Sequence, residues 1–217
     1  MIVIKKGQGP ANLTAYKQER GAYYDGFSSK DDIKQALLLE QGYICAYCMR
    51  RIKKEEMTIE HYIPQTSDER LALDYHNMLG VCMGNRGTRE KRVKEKDMTC
   101  DAHRGNIGLT VNPVDASTIR MIKYKSDGTI YSDDAVIDKD LNSTLNLNCD
   151  VTGVLLKKNR KEALDIFKSY LSVQKSNGKW TKTFLLNVKN SYFNSQGVNK
   201  EYRGIMEGFL EKRLSRA

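Results

Sequence analysis

The first regular pattern of apolar and polar positions lies near the N-terminus. Ile33, Ala36 and Leu37 recur at the spacing of one helix face. A serine before this stretch can cap the start of a helix, and Gly42 after it can end one. The pattern therefore predicts a helix over residues 30–41.

A β-hairpin and a set of helices are predicted further along the chain. Residues 118–124 and 129–132 flank the sequence Ser126-Asp127-Gly128, which is typical of a hairpin turn. In the last third of the chain, apolar positions follow helical spacing on three successive faces. The first face contains Leu156, Ala163, Leu164, Phe167, Tyr170 and Leu171, the second Trp180, Phe184, Val188 and Tyr192, and the third Tyr202, Ile205, Met206, Phe209 and Leu210.

These elements predict an α+β chain in four parts. Of its 217 residues, 40% are hydrophobic and 29% are charged, which is the composition of a folded globular protein and excludes wholesale disorder or collagen-like repeats. The predicted parts are an N-terminal segment with its helix (1–42), an irregular centre (43–110), the hairpin and its connection (111–150) and a helical region (151–217).

Charge is distributed unevenly between these parts. The formal net charge is +9, and residues 151–217 alone hold 14 basic and 5 acidic residues, so they carry the whole excess. Such a surface attracts polyanions, above all phosphate backbones, although the same side chains could equally be solvated helix faces. No apolar run is long enough to cross a membrane, the N-terminus lacks the pattern of a signal peptide, and an odd number of cysteines, five, favours reduced thiols. We therefore expect a cytoplasmic protein without a membrane partner.

Cysteine and histidine are concentrated in one stretch. All three histidines and four of the five cysteines lie within residues 45–103. Cys45 and Cys48 form a C-x-x-C pair, which can bind one Zn²⁺ from a single turn. Cys82 and Cys100 are the natural further ligands of a tetrahedral structural site. The alternatives are a redox pair or buried, inert cysteines.

A second set of residues has the chemistry of hydrolysis. Glu60 and His61 end a short β-prone run that Pro64 stops. An imidazole whose pKa is near neutrality is a natural base for activating water, and a neighbouring carboxylate can hold a hard cation such as Mg²⁺. Asn77 can fix a loop through backbone hydrogen bonds. Each of these residues alone is more typical of a structural role, so their meaning depends on the combination.

In combination these segments resemble the HNH endonucleases. The motif of that family reads C-x-x-C, then D-H-x-x-P, then N-L-x-x-x-C-x-x-C-[HN]-x-x-K-G. The resemblance implies a ββα-metal nuclease core over residues 43–110, whose segments are held together by a structural zinc ion. The matching residues here are Cys45-x-x-Cys48, Glu60-His61-x-x-Pro64, Asn77-Met78-x-x-x-Cys82 and Cys100-Asp101-Ala102-His103-Arg104-Gly105.

The sequence departs from the family pattern at three points. Glu60 stands where the family usually has aspartate, and residues 83–99 separate the last two cysteines. Asp101 occupies the position of the third metal-binding residue, for which the family uses His or Asn, and His103 and Asn85 are the alternatives for that role. Aspartate is a sound ligand for a hard cation, so the substitution is compatible with activity.

The resemblance also implies a role for each of these residues. Zn²⁺ would be structural on the four cysteines, and catalytic Mg²⁺ or Mn²⁺ would bind between Glu60 and Asp101. His61 would take a proton from the attacking water, while Asn77 holds its loop. The substrate would be nucleic acid, with DNA favoured over RNA. Cationic side chains could contact its phosphates, although Arg104 could equally be a surface cation and the arginines of residues 83–99 part of a solvated loop. Those side chains are Arg104, Arg86, Arg89 and Arg92.

A narrower resemblance extends over most of the chain. Several blocks look like the PtuB-type HNH proteins, which are the nuclease partners of the SMC-like ATPase PtuA in Septu antiphage systems and some retron-linked operons. It implies an antiphage effector subunit with an ABC-type ATPase partner. The alternative that stays open is a non-catalytic zinc-ribbon subunit that binds nucleic acid or recruits the ATPase. The blocks are Ile4-Lys5-Lys6…Pro10…Leu13…Tyr16-Lys17, Gln41…Cys45-Ala46-Tyr47-Cys48 and Leu145-Asn146-Leu147-Asn148…Leu155…Arg160.

Overall fold

The first predicted helix is present as α2, Lys30–Gln41, and it follows a shorter helix, α1, Ala11–Tyr16. Ser29 precedes α2 but makes no capping hydrogen bond through its side chain. The helix ends at Gly42, whose φ of 60° lies in the left-handed region that glycine adopts without strain. A side chain there would also meet Asn199, whose backbone nitrogen lies 2.7 Å from the position of a Cβ atom.

The computed structural model describes residues 1–87, 92–174, 179–193 and 196–216.

The centre of the chain forms two antiparallel strands followed by a short helix. β1, Met57–His61, pairs with β2, Met78–Cys82, and α3, Asp101–Arg104, comes after them in the chain. The buried side chain of Gln41 joins α2 to β2. Its amide nitrogen donates to the Gly80 carbonyl at 2.7 Å, and its amide oxygen accepts from the Gly80 N–H at 2.7 Å. This double hydrogen bond fixes the strand pair against α2.

The predicted hairpin is confirmed, but it is shorter than the pattern indicates. β3, Ile122–Tyr124, pairs antiparallel with β4, Ile130–Ser132. Residues 118–120 are helical instead, because the Asp115 carboxylate accepts a hydrogen bond from the Ser117 N–H and so caps a helix at this point. The flanking helices are α4, Ala116–Arg120, and α5, Ala135–Lys139, which continues into a π-helical turn at Asp140–Thr144.

The three apolar stretches of the C-terminal region form helices, as the spacing predicts, but Trp180 and Tyr202 lie just before the helices of their stretches. Side chains of the three helices meet around Phe167, whose ring centroid lies 4.7 Å from that of Tyr192 and 6.4 Å from that of Phe209. Thr181 begins the second of these helices, since its hydroxyl accepts a hydrogen bond from the Phe184 N–H at 3.3 Å. The helices are α6, Leu156–Gln174, α7, Lys182–Tyr192, and α8, Arg203–Leu214.

One cluster of buried apolar side chains runs through all four predicted parts of the chain. It includes Met1, Leu37, Val81, Leu141 and Leu210. Helices and two small sheets pack around it, so the architecture is α+β, as predicted. No helix among the described residues is long and apolar enough to cross a membrane. The chain also makes short 3-10 turns at Tyr24–Gly26, Lys54–Glu56, Glu69–Leu71, Tyr75–Asn77 and Glu95–Asp97.

Candidate metal centre and active site

Four cysteines from three separate segments meet in the interior. Cys45 and Cys48 lie in the turn after α2, Cys82 ends β2, and Cys100 directly precedes α3. The Sγ–Sγ distances are 3.9 Å from Cys45 to Cys100, 3.7 Å from Cys48 to Cys82 and 3.8 Å from Cys82 to Cys100. All four side chains are buried and none forms a disulfide. The structure thus brings together the four cysteines that the sequence selects.

Backbone hydrogen bonds shape the turn that carries the C-x-x-C pair. The Cys45 N–H donates to the Arg50 carbonyl at 2.9 Å, and the Met49 N–H donates to the Cys45 carbonyl at 3.0 Å. The Ala46 N–H donates to the Gly80 carbonyl at 3.1 Å, which joins the turn to β2. The turn is therefore closed on itself and attached to the strand that supplies the third cysteine.

The four sulfur atoms have the spacing of a tetrahedral metal site. A Zn–S bond of about 2.3 Å places the sulfur atoms of a tetrahedron about 3.8 Å apart, close to the separations of 3.7 to 3.9 Å found here. Burial opposes a charge on Cys45, but hydrogen bonds from the three other thiols lower its pKa well below the usual range. The cluster can therefore hold a metal such as zinc. Within the described part of the chain it is the only such group of three or more Cys, His, Asp or Glu side chains.

His61 is the last residue of β1, and its ring is held in one orientation. The Nε2 atom lies 2.9 Å from the Ala72 carbonyl oxygen, which can only accept, so Nε2 carries the proton. Nδ1 then has the free electron pair, and it accepts a hydrogen bond from the Gln65 amide at 3.1 Å. Burial lowers the pKa of His61, which keeps the ring neutral near pH 7. A neutral imidazole with this tautomer can take up a proton at Nδ1.

A cleft of about 430 Å³ opens beside this imidazole. Its lining includes three residues that contact the His61 ring, namely Tyr24, Gln65 and Ala72. The Tyr24 ring stands edge-on to the His61 ring, with 4.6 Å between the centroids. Lys17 and Arg70 line the cleft together with Asp25 and Glu69, so its positive and negative side chains balance. The cleft can therefore admit a ligand group next to the candidate base.

Glu60 faces a different set of partners. Its carboxylate accepts a hydrogen bond from the Tyr47 hydroxyl at 3.0 Å and forms an ion pair with Arg104. Burial and the adjacent Asp101 carboxylate together raise the pKa of Glu60 to about 8. The negative charge of Asp101 also raises the pKa of His61, against the larger effect of burial, which lowers it. Two carboxylates this close repel each other unless a proton or a cation lies between them, and carboxylate oxygens are the ligands that Mg²⁺ prefers.

Arg104 has a different place from the phosphate contact that the sequence suggests. It lies in the interior next to Glu60 rather than at the surface, and its side chain is 0% exposed. Its guanidinium donates to the carbonyls of Tyr62 at 2.5 Å and Ile107 at 2.6 Å, besides its ion pair with Glu60. A side chain engaged in this way cannot reach a substrate phosphate, so Arg104 positions the Glu60 carboxylate instead.

Asn77 fixes the loop that follows β1. Its side-chain oxygen accepts from the Ile63 N–H at 2.8 Å. Its amide nitrogen donates to the carbonyl of Ile63 at 3.0 Å and to that of Leu71 at 3.3 Å. The loop so fixed carries Gln65 and leads to Ala72, both of which hydrogen-bond to the His61 ring.

Two of the remaining predicted site residues hydrogen-bond to backbone carbonyls. The His103 Nδ1 atom lies 2.9 Å from the Thr144 carbonyl, and the Asn85 amide donates to the Asp97 carbonyl at 2.9 Å. Arg86 is at the surface and pairs with Asp101 at 3.2 Å. Arg92 is exposed, and Arg89 lies outside the described residues.

Three residues of the site were not singled out from the sequence. Tyr47 lies inside the C-x-x-C pair, and its hydroxyl reaches Glu60. Gln65 and Tyr24 contact the His61 ring. Tyr47 was accessible to inference from its position within the motif. Gln65 and Tyr24 carry no signal in the sequence, because only the folded loops bring them to the imidazole.

Comparison with known proteins gives one distant similarity. No family model matches the chain. A protein of Escherichia coli named "Retron Ec83 putative HNH endonuclease" is 26% identical over 81 residues, which cover 34% of this chain and 31% of that protein. The chain thus spans about a third of the length of this relative. A similarity of this extent supports a relationship to the HNH endonucleases in general.

Proposed function

We propose that this chain is a divalent-metal-dependent endonuclease of the HNH type, which hydrolyses phosphodiester bonds of nucleic acid, DNA in preference to RNA. The observation that carries the proposal is that Glu60 and His61 are adjacent at the end of β1 and that the charge of Asp101 acts on both. The four-cysteine cluster beside them and the distant relative named as an HNH endonuclease support the same activity. In this proposal β1, β2 and α3 are the ββα-metal core.

His61 is the general base of the proposed reaction. Its Nδ1 atom takes a proton from the attacking water, while the Ala72 carbonyl keeps the proton of the other nitrogen in place. In the structure, the Gln65 amide donates a hydrogen bond to Nδ1. The Gln65 side chain is exposed, so it can rotate away when a substrate enters the cleft. Asn77 keeps the loop, and with it the ring, in position.

Glu60 and Asp101 are the proposed ligands of Mg²⁺ or Mn²⁺. When bound there, such a cation would supply Lewis-acid chemistry at the scissile phosphate. Arg104 and Tyr47 orient the Glu60 carboxylate from behind. Zn²⁺ on the four cysteines is structural and fastens the turn after α2, the end of β2 and the start of α3 together.

A cleavage assay with two histidine variants tests the proposal. The purified chain is incubated with plasmid DNA, single-stranded DNA and RNA in Mg²⁺ or Mn²⁺. We expect His61→Ala to lower the cleavage rate by at least about 100-fold, the range for removal of a general base. His76→Ala is the matched control, because His76 is exposed and its nearest charged partner is Asp74 at 3.6 Å. It should cleave at the wild-type rate.

Circular dichroism and zinc content must be equal in the two variants for the comparison to hold. Equal rates in His61→Ala and wild type would remove His61 from the mechanism. A chain that is folded and binds zinc but cleaves none of the substrates would support the non-catalytic zinc-ribbon alternative.

The wider proposal concerns the partner of this nuclease. We propose that the chain acts in the cytoplasm as the effector subunit of an antiphage complex with an SMC-like, PtuA-type ATPase. The sequence blocks that resemble PtuB-type proteins support it. Co-expression with a PtuA-type ATPase from the same genome should give a complex that co-elutes in gel filtration. Separate elution of the two proteins, with and without ATP, would contradict the partnership.

A further inference from the structure

A second cavity lies away from the candidate active site. It has a volume of about 630 Å³ and is formed by the β3–β4 hairpin with α6 and α8. It shares no lining residue with the cleft beside His61. Seven of its lining residues are Lys or Arg, and Glu211 is the one acidic member. A concave site with this excess of positive charge favours an anionic ligand.

Most of this charge is not neutralised by neighbouring carboxylates. Lys123 pairs with Asp133, and Lys168 pairs with Asp165 at 3.5 Å. Glu211, in turn, pairs with a lysine outside the cavity. For the other five cations, the described residues place no carboxylate at ion-pair distance; they are Arg120, Lys125, Lys212, Arg213 and Arg216.

Aromatic rings hold two of these cations in place. The Lys125 ammonium lies 5.4 Å from the Tyr131 ring centroid, and the Arg213 guanidinium lies 5.2 Å from that of Phe209. Arg213 also lies 5.5 Å from the ring of Trp180. Cation–π contacts restrict these long side chains, which lowers the entropic cost of binding a phosphate. The tyrosine and phenylalanine rings are themselves part of the lining, and aromatic rings are surfaces on which nucleobases stack.

We propose that this cavity is a binding site for single-stranded nucleic acid. Cations for the backbone beside aromatic rings for the bases are the combination that binds unpaired strands. The bases of a duplex are paired and stacked on each other, so they cannot reach rings inside a cavity. The choice of nucleic acid as the polyanion rests on the proposed nuclease function, but the site itself is defined by its own residues.

Charge reversal at the rim of the cavity tests this proposal. Lys212→Glu/Arg216→Glu changes two exposed cations of the lining. Lys5→Glu/Lys182→Glu is the matched control, because it makes the same change in net charge at exposed positions outside the cavity. Both pairs are made in the full chain with His61→Ala, so that cleavage plays no part. Binding of a fluorescent 12-nucleotide single strand is followed by anisotropy at several salt concentrations, without added Mg²⁺ or Mn²⁺.

We expect the cavity pair to weaken binding of the single strand by at least about tenfold. The slope of log K against log salt should fall by about 1.4, since each lost phosphate contact on a single strand contributes about 0.7. The control pair should stay within about twofold of the parent protein. A duplex of the same length should bind more weakly than the strand.

Three results would overturn the proposal. If both pairs of substitutions weaken binding of the strand equally, the strand is attracted by net charge alone. If the cavity pair does not weaken binding, the cavity is not the binding site. Binding of ATP to the cavity, abolished by the cavity pair while the strand is unaffected, would identify a free-nucleotide site instead. Because binding is measured in an inactive background, a failed cleavage assay would leave this result unchanged.

Discussion

A single buried arginine controls the carboxylate at the end of β1. Arg104 pairs with Glu60 and also donates to two backbone carbonyls. Burial and Asp101 raise the pKa of Glu60, and the Arg104 charge opposes that rise. The positive charge of Arg104 therefore favours the ionised form of Glu60, which is the form that binds a divalent cation. At the scale of the residue, the charge state of Glu60 thus depends on a side chain that is itself fully buried.

Replacing Arg104 should cost stability rather than only activity. We expect Arg104→Met to lower the free energy of unfolding by about 3–5 kcal/mol, because Glu60 and the backbone carbonyls of Tyr62 and Ile107 lose their buried hydrogen-bond donor. Arg86→Met is the matched control. Arg86 also pairs with a carboxylate of the site, but its side chain is 49% exposed, so the loss should be about 1 kcal/mol or less. Urea denaturation measures both. A similar, small loss in the two variants would contradict the structural role of Arg104.

At the scale of elements, the four cysteines connect three segments that also share the apolar core. They join the turn after α2, the last residue of a five-residue strand and a helix of only four residues. A metal bound to all four thiolates would cross-link these short elements in addition to the packing of the core. Such cross-links would also fix α3, and with it Asp101, relative to the strand pair that carries Glu60 and His61.

Removal of one ligand should unfold this part of the protein. We expect Cys82→Ser to lose bound zinc and helical circular dichroism, since a structural site needs all four ligands. Cys149→Ser is the control, because Cys149 is also a buried free cysteine but lies outside the cluster. It should retain one zinc per chain by elemental analysis. Loss of zinc in both variants would mean that the cluster is not the zinc site.

The sequence allows prediction of the elements and of much of the site, but not of the side-chain partners. Helical spacing around Ile33 identifies α2 with its correct ends. The C-x-x-C pair and the distant Cys82 and Cys100 can be grouped because metal binding is a chemical property of residue type. Burial of a charged side chain, in contrast, does not follow from residue type. Arg104 looks like a surface residue in the sequence, and only the tertiary contacts with Glu60 show that it is internal.

At the scale of the whole molecule, the segment before α8 is attached to the turn that carries Cys45 and Cys48. The Asn199 N–H donates to the Gly42 carbonyl at 2.9 Å, and the Arg51 guanidinium donates to the Asn199 carbonyl at 2.6 Å. The Tyr202 N–H donates to the Met49 carbonyl at 3.1 Å, within the turn that carries the first two cysteines. The apolar cluster is also continuous between the two regions.

This connection predicts that the protein unfolds in one step. Trp180, the one tryptophan of the sequence, reports on the C-terminal helices, and zinc release reports on the cysteine cluster. Since the two regions share a core, both signals should change at the same urea concentration. Zinc release in urea is followed with a chromogenic chelator, and Trp180 by its fluorescence. Two separate midpoints would mean that the C-terminal helices fold as a unit of their own, and that the strand-binding cavity they help to form does not depend on zinc.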